Sequence, residues 1–153
     1  MTLRVLCISG PNLGLLGTRE PEIYGRETLN DIHKRIKKRA SELGVTVDAK
    51  QSDVEGEIVK WIGAAPKRYA GLLLNAAAYT HTSLAIFDAL TATGLPCVEV
   101  HLSNPEAREA YRHESKIAAA CIGKVSGFRG DSYLLALEGL VAFLGRAGNV
   151  VAE

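Results

Sequence analysis

"LRVLCIS" (residues 3–9) decides the architecture. It is apolar almost throughout instead of alternating with polar residues, which is how a strand covered on both faces of a parallel sheet reads. Four more runs share this character and are read as fully buried strands: "VTVDAKQ" (45–51), "AGLLLN" (70–75), "PCVEVH" (96–101) and "CIGKVS" (121–126). Helical patterns lie between them. In "ETLNDIHKRIKKRASELG", Leu29, Ile32, Ile36, Ala40 and Leu43 recur at helical spacing and Gly44 ends the helix. "EGEIVKWIGAA" stops before Pro66, "HTSLAIFDALTATG" stops at Gly94, and "DSYLLALEGLVAFLGRAG" follows the fifth run. This alternation predicts an α/β fold, a doubly wound five-stranded parallel sheet with helices on both faces and right-handed crossovers.

A chain of 153 residues fits one domain, residues 1–153. Its net charge of +1 gives no basis for nucleic acid or a membrane surface as partner. No apolar stretch approaches the roughly 18 residues of a membrane span, and the N-terminus lacks the basic leader of a signal peptide. Cys7, Cys97 and Cys121 lie inside apolar runs and are expected to be buried small hydrophobes in a reducing, cytoplasmic compartment. With no C-x-x-C and no H-E-x-x-H, no metal site is expected.

Ligands of open α/β sheets bind beyond the carboxyl ends of the strands. Strand one is followed by "GPNLGLLGTREPEIYG" (10–25), far longer than the usual connection of about 4–6 residues yet too apolar to be compositionally disordered. It carries Asn12, Arg19 and Tyr24. "NAAAYTHTS" brings Asn75 and His81, and "EVHLSN" brings Glu99, His101, Ser103 and Asn104, with Arg108 and Arg112 close behind. Strand alternation puts Glu99 and His101 on one face, where a carboxylate can fix the imidazole tautomer, in a structural pair or a catalytic one. A cation beside Tyr24 favours its phenolate, and Arg19 can supply one without competing for the proton. The plainer alternative is that Tyr24 anchors the loop and Arg19 is solvated. His33 and His113, flanked by charges, are expected to face solvent. "SLAIFDAL" is apolar enough to be buried almost all round, with Asp88 its one charge. That carboxylate either caps or pairs locally or meets another subunit.

Five blocks in order resemble the type II 3-dehydroquinate dehydratases. "GPNLGLLGTREPEIYG" matches the family's opening motif at all but one fixed position. "QSDVEGEIVKWI", "NAAAYTHTSLAIFDAL", "VEVHLSN" and "AREAYRHES" follow at the family's spacing. The resemblance implies a flavodoxin-like fold and dehydration of 3-dehydroquinate to 3-dehydroshikimate, in the shikimate pathway to aromatic amino acids. It implies anti elimination through an enolate with no cofactor. Matched by position, Tyr24 would remove the C2 proton, Arg19 would lower the Tyr24 pKa, and Asn12 would hold a water at the enolate oxygen. His101, oriented by Glu99, would protonate the leaving C1 hydroxyl. Asn75, His81, Leu102, Ser103 and Arg112 would bind substrate. Loop 15–26 would be a lid, and twelve chains would assemble as four trimers in which Asp88 reaches a neighbour's site. A non-catalytic flavodoxin-like binding module is the alternative.

The sequence departs from the family pattern at Gly14, Asp53, Ala76, Pro105, Glu106 and Arg129. Gly14 is expected to loosen the loop, and Asp53 to disfavour an anionic substrate if it faces the site. Gly14→Asn and Asp53→Asn are therefore expected to raise kcat/KM.

Overall fold

The structure, a computed structural model, describes residues 2–18 and 20–152, with Tyr24 and residues 149–152 described through their backbone alone. Strands β1 (Arg4–Ser9), β2 (Thr46–Gln51), β3 (Gly71–Asn75), β4 (Cys97–His101) and β5 (Gly123–Ser126) form one sheet in the order β2-β1-β3-β4-β5. Every pairing is parallel. This is the flavodoxin-like order, whose direction of winding reverses between β1 and β3.

Period-two alternation splits each strand between two cores. Val5, Cys7, Leu73, Val98 and Val100 face α2 (Leu29–Glu42) and α5 (Asp131–Ala152), where Ile32, Ile36, Leu137 and Leu140 are buried. Leu6, Ile8, Leu72, Leu74 and Cys97 face α3 (Glu55–Ala64) and α4 (Leu84–Thr93), meeting Ile58, Ile62, Ile86 and Leu90. Local chemistry starts the helices, two residues into the quoted stretch at α2 and three at α4, where His81 belongs to a separate 3-10 turn. Thr28 and Asp31 form a reciprocal capping box at α2, and the Ser83 hydroxyl accepts the Ile86 N–H at α4. Gly94, with φ 66°, ends α4 in the left-handed region.

Several expectations need correction. β2 and β5 are edge strands and only partly buried, because one side of each lacks a neighbour. α4 buries only Ile86 and Leu90, leaving Leu84 65% exposed and Asp88 on the surface. Its apolar residues outnumber the stripe that a single chain can cover. Among the described residues the Asp88 carboxylate has neither a cap nor an ion pair. His33 is half-buried, with Nε2 shielded from solvent and unpartnered, so burial and the nearby Lys37 charge push its pKa down. His113 is exposed as expected. All three cysteines are free: Cys7 and Cys97 are buried, Cys121 partly so. Burial pushes the Cys7 thiol up to about 12.

The long first loop is structured. A 3-10 turn spans Leu13–Leu15 and a one-turn helix, α1, spans Pro21–Tyr24. The loop leaves β1 pressed against the end of β3: Gly10 donates its N–H to the Asn75 carbonyl at 2.8 Å. A Cβ at Gly10 would sit 2.7 Å from the Ala76 carbonyl oxygen, so only glycine allows this approach.

Candidate active site

A cleft opens where the winding reverses, beyond the carboxyl ends of β1, β3 and β4. One wall is Pro11, Asn12 and Leu13. The other combines Asn75, Ala77, Ala78 and His81 with His101, Leu102, Ser103, Pro105, Arg108 and Arg112.

Asn12 stands at φ 67°, a conformation asparagine tolerates better than most residues. Its N–H donates to Asp53 Oδ1 at 2.9 Å, and the same oxygen accepts from Gln51 Nε2 at 3.0 Å. Asn75 ends β3 and is buried. Its Nδ2 donates to the Tyr133 hydroxyl at 3.1 Å and its Oδ1 accepts the Ala77 N–H at 3.1 Å. Tyr133 bonds in turn to Ser9 Oγ at 2.9 Å. This network beneath the floor fixes the Asn75 amide and leaves one Nδ2 hydrogen unused by it.

Glu99 and His101 share a face of β4. His101 Nε2 donates to Glu99 Oε2 at 2.5 Å, and the Ser115 hydroxyl donates to Glu99 Oε1 at 2.8 Å. The Glu99 side chain is fully buried and His101 nearly so. Burial pushes the Glu99 carboxyl up. The bond to and charge of His101, the Ser115 hydroxyl and the Lys124 charge together outweigh it and hold the carboxyl below its ordinary value. With Nε2 committed to Glu99, Nδ1 is the ring nitrogen left for a ligand. His81 stacks beside it, ring centroids 6.5 Å apart. His81 Nδ1 donates to the Glu114 carbonyl at 2.8 Å, so its Nε2 is the nitrogen left for the cleft.

Arg108 and Arg112 add positive charge. Both approach Glu109, and Arg108 Nη1 lies 3.4 Å from Ser103 Oγ. Such a cleft suits a small anion with several hydroxyls.

The structure thus gathers Asn12, Asn75, His81, His101, Leu102, Ser103 and Arg112 in one cleft, with Glu99 beneath it. Asp88 does not line it. Arg19 and the Tyr24 side chain lie outside the described residues. The sequence reading placed Arg108 at this edge without a role, and it missed Ser115 and Lys124 behind Glu99. The serine in "RHES" was visible, but nothing local tied it to a carboxylate 16 positions earlier. Among the described residues no group of three or more His, Cys, Asp or Glu could hold a metal ion. No helix among them is long and apolar enough to cross a membrane.

The model of the family described as dehydroquinase class II matches residues 3–141. The chain belongs to that family. A 3-dehydroquinate dehydratase of Hyphomonas neptunium is 48% identical over 96% of this chain and 99% of its own length. One of Phenylobacterium zucineum is 51% identical over 90% of this chain and 95% of its own. Among solved structures, a type II dehydroquinase from Propionibacterium acnes superposes with a TM-score of 0.89 at 41% identity, covering 93% of this chain and 98% of that one. The dehydroquinase cleft described above therefore sits in a chain similar to these relatives over nearly its whole length.

Proposed function

We propose that this dehydroquinase-family protein is a hydro-lyase that converts 3-dehydroquinate to 3-dehydroshikimate in the shikimate pathway to aromatic amino acids. The observation that carries the reading is the buried Glu99–His101 pair, held by Ser115, opening onto a cationic cleft. A binding module has no need of an oriented proton donor.

The elimination requires a base, an acid and support for an oxyanion. Tyr24, activated by Arg19, takes the C2 proton and leaves an enolate at the C3 carbonyl. Asn12 supports that oxygen through a water. The enolate collapses to a C1–C2 double bond, and His101 protonates the departing C1 hydroxyl, which leaves as water. Glu99 holds the ring and balances its charge as the proton moves. The backbone N–H groups of Leu102 and Ser103 take the substrate carboxylate, while Asn75, His81 and Arg112 position the ring hydroxyls. Side chains supply every proton transfer, so the proposed chemistry calls for no cofactor. Residues 15–26 act as the lid that carries Arg19 and Tyr24 over the substrate.

We place the enzyme in the cytoplasm, which accords with its three free cysteines. It assembles as a dodecamer of four trimers in which Asp88 completes a neighbour's site. The exposed face of α4 supports this, since Leu84 and Asp88 lie outward on an otherwise apolar helix.

The test is ultraviolet absorbance of a 3-dehydroquinate solution, because the product's carbonyl is conjugated with its new double bond and the substrate's is not. The expected result is a steady rise without added cofactor, insensitive to chelator and lost in Tyr24→Phe. A flat trace from folded protein would favour the binding module.

A further inference from the structure

Glu99 has a third partner that the reaction above does not use. Lys124 on edge strand β5 pairs in register with Glu99, so parallel pairing places the two side chains on the same face of the sheet. The Lys124 ammonium stands 3.7 Å from Glu99 Oε2, the oxygen that also accepts from His101. It stands equally far, 3.7 Å, from Oε1 of Glu106, in the turn that follows β4. One cation is therefore shared between a buried carboxylate and an exposed one.

We propose that Lys124 is a positioning residue for His101: by competing for Glu99 Oε2 it weakens the carboxylate's hold on the imidazolium and makes the ring a readier proton donor, while Glu106 draws the ammonium back. The inference rests on reading His101 as the donor. The geometry allows a strong effect, because Glu99 has no contact with solvent and charges near a buried carboxylate are weakly screened. Other charged or titratable groups surround the ring. His81 faces it from the turn after β3, Arg108 and Arg112 line the same cleft with Glu109 behind them, and the buried Cys97 thiol lies on β4. None of these changes when Lys124 or Glu106 alone is replaced.

The experiment compares Lys124→Met, Lys124→Arg and Glu106→Gln with the wild type. Two readouts are followed: the alkaline limb of the kcat/KM profile, and the NMR titration of His101 in protein carrying ¹³Cε1-labelled histidine. The chain has 4 histidines, so the His101 signal is assigned by its loss in His101→Gln. Removing the cation in Lys124→Met should raise the midpoint of the His101 titration by about one pH unit, and the alkaline limb with it. Glu106→Gln should move both down by roughly half a unit, and Lys124→Arg should restore the wild-type midpoint. Opposite shifts from two substitutions on one ion pair are not what loss of packing would give. Midpoints that stay put, or that move in the same direction in Lys124→Met and Glu106→Gln, overturn the proposal. Should Lys124→Met fail to fold, Glu106→Gln alone decides by the direction of its shift. If the ring titration moves as expected and the alkaline limb does not, Lys124 acts on His101 as proposed, and the failed reading is that His101 is the proton donor.

Discussion

The Asp53 carboxylate accepts the backbone N–H of Asn12 at 2.9 Å, joining two segments 41 positions apart. Asp53 therefore serves as a clamp on the left-handed turn at Asn12, and its charge is spent on that turn and on Gln51.

This contact refines what Asp53→Asn should do. Asp53 does not line the cleft but lies against Asn12, which does; an asparagine keeps an acceptor oxygen for Asn12 and removes a negative charge next to that wall, so kcat/KM should rise a fewfold. Asp53→Ala removes the acceptor and should lower it about fivefold, the equivalent of one hydrogen bond of roughly 1 kcal/mol. Steady-state kinetics of the pair checks this, and equal effects of Asn and Ala would contradict it. Gly14→Asn is compatible with the fold, because a Cβ there comes no closer than 3.4 Å to the Gln51 side chain.

Glu99 makes stability depend on pH. Burial pushes its carboxyl up, but His101, Ser115 and Lys124 outweigh burial and leave it below the ordinary 4.5. A carboxyl lowered by folding stabilises the protein above its unfolded value and loses that contribution as the pH falls through the folded value. Urea midpoints of the wild type should therefore drop as pH falls below about 4.5, beyond what other carboxylates cause. Glu99→Gln should be less stable at neutral pH and show a shallower drop in that window. Parallel curves for the two proteins would remove Glu99 from the account. The same variant should lose about 10²-fold or more in kcat, since the ring loses the group that holds it.

Arg129 occupies φ 53°, a conformation that costs most L-residues about 1 kcal/mol or more. Its guanidinium lies 3.5 Å from the carbonyls of both Pro21 and Glu22, at the limit of hydrogen-bond distance, and so bears on α1 in the loop proposed as the lid. Arg129→Gly should gain about 1 kcal/mol in urea unfolding by relieving the backbone. It should also release the lid, seen as faster limited proteolysis within residues 15–26 and a higher KM. A gain in stability with no change in proteolysis would show that the contact does not hold the lid.

Leu84, 65% exposed on α4, should be an assembly contact. Leu84→Glu puts a charge where an apolar neighbour would sit, and light scattering should then report a smaller assembly than the wild type. Activity should fall with it if Asp88 completes a neighbouring site. An unchanged mass would place the interface elsewhere.

Sequence alone determined the five strands, which begin one or two residues inside the quoted runs and end with them. It determined the helices between them, because periodicity and caps are local signals. It also put Glu99 and His101 on one face, since alternation along a strand is a property of the chain itself. Family motifs carried the remaining cleft residues, and the structure brings the described ones together, Asp88 apart. Tertiary structure alone decided which distant groups meet. Strand order made β2 and β5 edges and left one face of α4 uncovered. Register set Lys124 beside Glu99, and the close packing of β1 against β3 required Gly10. Ser115 behind Glu99, Asp53 on Asn12 and Arg129 over α1 are all contacts between segments that no local pattern links. Each follows from how the sheet orders its strands in space, and a linear sequence does not display that order.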